Sequence, residues 1–172
     1  MKTMLGFVAL ILLPTGCGNT NITPAAPADG EIPADEQHAE NKQHGGDEQW
    51  LTSLPDALAK AQSDKKLVLL DFTGSDWCPP CKMLHEKVLT QKEFLDHASE
   101  NLVLVMLDFP QSKQQAAELK EANKGLAKKF NIEGFPTLVL LDGEGNELAR
   151  EVGLAHQNPA DLIAWVKDKG PK

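Results

Sequence analysis

From residue 50 onward the chain alternates short, continuous apolar runs with longer segments whose apolar residues recur three and four positions apart. Leu51, Leu54, Leu58 and Ala61 keep close to a helical period, and Pro55 is tolerated near a helix start. A first helix is therefore predicted over 54–63, with Asp64, Lys65 and Lys66 as the turn out. The run 67–72 is apolar on both faces, which predicts a central, covered strand. Pro79 and Pro80 fit only the first turn of a helix, where a missing N–H costs nothing. That predicts a helix over 78–89 with Met83, Leu84, Val88 and Leu89 on its apolar side. A second helical piece, 91–98, carries Phe94 and Leu95, and 102–107 is another strand with both faces apolar.

The stretch 111–130 is polar, with Ala116, Leu119, Leu126, Ala127 and Phe130 as a sparse apolar stripe. Asn123 and Gly125 interrupt it, so two helices or one helix with an unusual lead-in are expected. Residues 137–141 read as a strand, 142–146 (Asp-Gly-Glu-Gly-Asn) as a turn, and 147–152 as the returning strand of a hairpin. Asn158-Pro159 opens a last helix to about 167. This order predicts an α/β fold, a three-layer α/β/α sandwich around a mixed central sheet.

Upstream of residue 50 the pattern changes. Lys2 followed by the apolar run 4–13 has the dimensions of a secretory signal rather than of a membrane span, and 1–16 is taken as a signal peptide. Leu13-Pro14-Thr15-Gly16-Cys17 resembles the bacterial lipoprotein processing site, which makes Cys17 the candidate lipid anchor; Pro14 departs from that pattern. Residues 17–48, rich in Pro, Ala, Asn, Gln and acidic side chains, cannot bury enough surface to offset their ordering entropy and read as a flexible linker. His38 and His44 within it read as solvated. The expected setting is the bacterial cell envelope, lipid-anchored and facing the periplasm, with secretion as the alternative.

The formal charge of the whole chain is -8, and no basic cluster exceeds the pairs Lys65-Lys66 and Lys128-Lys129. That balance argues against nucleic acid or another polyanion as a partner. Of three cysteines, Cys17 closes the leader, and Cys78 and Cys81 form the one close pair. Strand, polar turn, C-x-x-C and helix is the layout of a dithiol redox centre. A cysteine at a helix N-terminus meets free N–H groups and the positive end of the helix dipole, both of which favour the thiolate. A second cysteine one turn on can resolve a mixed disulfide.

The order of elements, with Trp77-Cys78-Pro79-Pro80-Cys81-Lys82 and the later Gly134-Phe135-Pro136-Thr137, resembles the thioredoxin fold over about 51–167; the domain is set at 49–169. The opening Phe72-Thr73-Gly74-Ser75-Asp76-Trp77-Cys78 is similar to exported thioredoxin-like proteins and to the C-terminal domain of transmembrane disulfide reductases. The resemblance implies a thiol–disulfide oxidoreductase acting on protein cysteines, in the reductase or isomerase direction and supplied by a membrane electron donor, with no cofactor. It makes Cys78 the exposed attacking cysteine, Cys81 the resolving one and Asp71 the buried acid that assists proton transfer. It sets Trp77, Phe135, Pro136 and Thr137 beside the substrate chain, with Pro136 as the cis-proline. Three departures stand out: one extra residue between Asp71 and Cys78, only apolar residues in 102–107 where a lysine often pairs with the acid, and a long stretch after Asp108.

Two other readings share these residues. Cys78, Cys81 and His85 are the components of a soft copper site, although His85 lies two turns beyond Cys78. A redox-inert docking module is the other. Asp71 has a rival role as a strand-end carboxylate accepting turn N–H groups, and Asp76 reads as turn chemistry. His97 and His156 read as solvated. Oligomeric state has no signature here.

Overall fold

The computed structural model describes residues 49–171. The leader and the whole linker, with Cys17, His38 and His44, lie outside the described residues. Five strands form one sheet: β1 (Trp50–Leu51), β2 (Leu67–Thr73), β3 (Leu102–Asp108), β4 (Thr137–Leu141) and β5 (Glu147–Val152). Their spatial order is β1-β3-β2-β4-β5. β1, β3 and β2 run parallel, while β4 is antiparallel to β2 and β5 antiparallel to β4. The mixed sheet is the one expected, with β1 as an addition: Trp50 and Leu51 are too short a strand to show a period, and they form by pairing with Leu104 and Val105.

The helices are α1 (Leu54–Asp64), α2 (Pro79–Leu84), α3 (Lys92–Asn101), α4 (Ala117–Lys129) and α5 (Pro159–Lys169). α1 starts where the Ser53 hydroxyl accepts the Asp56 amide, and α5 where the Asn158 side chain accepts that of Asp161. α2 runs into a π-helical turn, His85–Leu89, in which the Thr90 amide reaches back to the His85 carbonyl at 3.0 Å. An i to i+5 bond of this kind has no apolar period of its own, which is why 78–89 reads as one plain helix. Met83, expected inward, is exposed, because the buried side of α2 is the one that carries Cys81 and Leu84.

α4 is a single helix that passes through Asn123 and Gly125 without a break. Asn123 is tolerated because its side chain is buried and its Nδ2 donates to the Asp108 carbonyl at 2.9 Å. Residues 109–116 are not helical, and 109–115 form the strap described below.

The strands bury both faces. On one, Leu69, Leu104, Leu138 and Leu140 pack with Leu84, Val88, Phe94, Leu162 and Trp165 from α2, its π turn, α3 and α5. On the other, Leu70, Phe72, Val105 and Val139 pack with Leu54, Ala57, Ala61 and Phe130 from α1 and α4 and its end. His156, expected in solvent, is instead buried against the Trp165 ring at 5.6 Å, because the loop before α5 closes one end of the first core.

Candidate active site

β2 delivers the site. Its chain leaves the sheet at Thr73 and turns through Gly74, Ser75, Asp76 and Trp77 to Cys78, the N-cap residue of α2. Cys78 and Cys81 are joined in a disulfide with Cα atoms 5.3 Å apart. The Cys81 amide points at Cys78 Sγ, at 3.3 Å, so the first free N–H of the helix faces the sulfur expected to attack. Cys78, expected to be exposed, is 3% exposed and Cys81 2%. In the oxidised pair Sγ of Cys78 is bonded inward to Cys81, over the helix end.

The turn is wired to the strap 109–115. The Trp77 indole Nε1 donates to the Phe109 carbonyl at 2.8 Å, and the ring lies over Gly74, where an added Cβ would come within 2.6 Å of it. Ser75 donates both its amide and its hydroxyl to the Asp108 carboxylate, at 2.9 and 2.7 Å. Asp76 accepts the backbone amides of Gln111, Ser112 and Lys113, the shortest at 2.6 Å. Partial burial works against its charge, but these three amides hold the Asp76 carboxyl below its ordinary value. The extra residue before Cys78 and the long stretch after Asp108 are therefore two halves of one interlocked structure.

Trp77 stays 38% exposed and meets Phe135 edge-on at 5.8 Å, and Phe135 in turn meets Phe109 at 5.1 Å. The Phe135–Pro136 peptide is cis. Thr137, expected at the substrate face, is only 1% exposed; β4 is flanked by β2 and β5, and the Thr137 hydroxyl turns back to the Gly134 carbonyl at 2.8 Å. Phe109 and Asp108 are the residues that sequence reasoning missed. A phenylalanine and an aspartate after an apolar run carry no signal until the strap folds back on the turn.

Asp71 is 2% exposed and lies on the face of β2 that α2 and α3 cover, level with Met106 on β3 and Leu138 on β4. Its Oδ1 has no hydrogen-bond partner. The turn amides go to Asp108 and not to Asp71, so the strand-end reading of Asp71 is set aside. Met106 stands opposite it on β3, where the resemblance leads one to look for a lysine. Burial, and then the negative charge of Asp108, push the Asp71 carboxyl up to about 7.

His85 is half-buried. Measured from Cys78 it is remote, but it follows Cys81 by four residues and lines a cavity of about 430 Å³ with it. Among the described residues no three His, Cys, Asp or Glu side chains converge as a metal site, so the copper reading gains no geometric support.

Residues 54–170 match the family model described as a thioredoxin-like domain. The chain is 40% identical over 119 residues to the disulfide bond reductase DsbH of Chlamydia pneumoniae, covering 69% of this chain and 70% of that one. It is 27% identical over 113 residues to the thioredoxin-related protein DsbJ of the same organism, covering 66% of this chain but only 32% of DsbJ. The solved structure of a DsbH oxidoreductase superimposes with a TM-score of 0.65 at 36% identity, covering 70% of this chain and 83% of that one. A helix-capping C-x-x-C disulfide on this sheet, matched over most of the described residues, makes the chain a member of the thioredoxin-like domain family, a Dsb-type thiol–disulfide oxidoreductase that exchanges with protein cysteines.

Proposed function

We propose that the protein works as a reductase of protein disulfides in the bacterial envelope. The observation that carries the direction is the 40% identity over 119 residues to a disulfide bond reductase. Cys78 attacks a substrate disulfide; one substrate sulfur joins Cys78 Sγ and the other leaves as a thiol. Cys81 then gives up its proton and attacks Cys78 Sγ, the second substrate thiol is released, and the Cys78–Cys81 disulfide remains. Two electrons have passed to the substrate, and a dithiol donor held at the membrane returns them.

Asp71, buried under the dithiol helix, serves as a proton reservoir for Cys81 in this reading. The exposed indole of Trp77, with Phe135 and Pro136, offers the substrate chain an apolar ledge; Thr137 supports the Pro136 turn from behind. The leader and Cys17 fit export and lipid anchoring, and relatedness to Dsb-type proteins supports an envelope setting.

The deciding measurement is the equilibrium potential of Cys78–Cys81, titrated against glutathione with thiols counted by mass. A value near about -270 mV is expected for a reductant, and one near about -120 mV would reverse the proposed direction. In the same preparation Cys81→Ser is expected to accumulate a mixed disulfide on Cys78. Trapping on Cys81 in a Cys78→Ser variant alone would exchange the two roles.

A further inference from the structure

Cys81 is almost without surface of its own, yet one cavity reaches it. The cavity of about 430 Å³ has Thr73, Cys81, Met106 and Asp108 as its floor, and His85 with Lys82, Glu86 and Lys113 around its mouth. Thr73 and Met106 belong to the same sheet face as Asp71, which pairs in register with Met106 but does not itself line the cavity. His85 and Cys81 occupy the same side of the helix four residues apart, where side-chain roots stand about 5–6 Å from each other. A space of this size with hydroxyl, carboxylate, imidazole and ammonium groups on its walls admits water.

We propose that His85 is the proton relay of the resolving cysteine, passing the Cys81 thiol proton to solvent through water in this cavity. The step rests on the assignment of Cys81 as resolving cysteine. As Cys81 attacks Cys78 Sγ, its S–H proton moves by way of water to the imidazole and on to bulk water. The departing substrate thiolate takes up a proton from solvent, so charge balances. Imidazole is the side chain whose ordinary titration falls between about pH 5 and 8, where such a transfer can run both ways. The charged groups facing His85 are Lys82 and Glu86 on its own helix, Asp108 on β3 and Lys113 on the strap. They carry both signs. Asp71 is then the buried proton reservoir, and His85 the exit to solvent.

The test follows resolution of a Cys78–glutathione mixed disulfide by acid quench and mass, across pH, in the full domain. His85→Ala is expected to slow release of glutathione about tenfold near pH 7, to remove one inflection from the pH profile, and to recover rate when free imidazole is added. His85→Gln is expected to keep the fold and the slow rate. Resolution within twofold of the parent at every pH, or a loss that imidazole does not repair, overturns the relay. Absence of any glutathione release in the parent protein would instead overturn the assignment of Cys81 itself.

Discussion

A carboxyl buried without a partner makes the domain's stability depend on pH. Asp71 ionises near 3.8 in an unfolded chain and near 7 in the folded one. Between those values the folded chain keeps a proton that the unfolded chain has lost, so stability falls as pH rises through the window and levels off above it. Asp71→Asn removes that cost. It is expected to raise stability in urea unfolding by a few kcal/mol near pH 8 and by little near pH 4; an equal gain at both would show that Asp71 is not the titrating group. Gly74 is a second single-residue dependence. Its missing side chain is the space that Trp77 fills, so Gly74→Ala should shift the indole, break the bond to the Phe109 carbonyl and cost about 1–3 kcal/mol. An unmoved Trp77 indole N–H resonance would show that the turn absorbs the methyl group elsewhere.

At the scale of elements, the strap and the active-site turn hold each other through side chains that come mostly from the turn. Asp76→Ala is expected to release the amides of Gln111, Ser112 and Lys113, read as faster hydrogen exchange there while β3 stays protected. Because the Asp76 carboxyl is held below its ordinary value, the clamp is present above the usual aspartate range and is lost only as pH falls through that lowered value. Unchanged exchange would place the strap's order in Trp77 and Ser75 instead. The elements legible in the sequence are 67–72 and 102–107, apolar almost throughout because both faces are covered, and the last helix, with one apolar side and Asn158 as its cap. What escapes it forms by tertiary pairing. Trp50 and Leu51 become a strand only beside β3, His85–Leu89 winds as a π turn inside an ordinary helical pattern, and Asp108 earns a role only when Ser75 arrives. The cysteines are legible because their chemistry is tied to spacing, and Pro136 through the resemblance to the thioredoxin fold; the cavity joining His85 to Cys81 needs the folded helix, since His85 is near Cys81 and not Cys78.

For the whole molecule, the sheet divides the interior into two apolar cores, and adjacent residues on β2 belong to different ones. Leu69 faces α3 and α5, and Leu70 faces α1. Each Leu→Ala change is expected to cost about 2–5 kcal/mol, and the pair should add to within about half a kcal/mol. A large departure from the sum in urea unfolding would mean that the strand itself shifts between the cores.

The interlock of turn and strap has a consequence for how this redox site can be inherited or transplanted. The Thr73–Cys78 turn and residues 108–113 are some thirty positions apart, yet each supplies the other's hydrogen-bond partners. They behave as one cassette in two pieces. A chimera that grafts only the C-P-P-C turn onto a shorter relative would leave Asp76, Ser75 and the Trp77 indole facing nothing, whereas moving both pieces together carries the site intact.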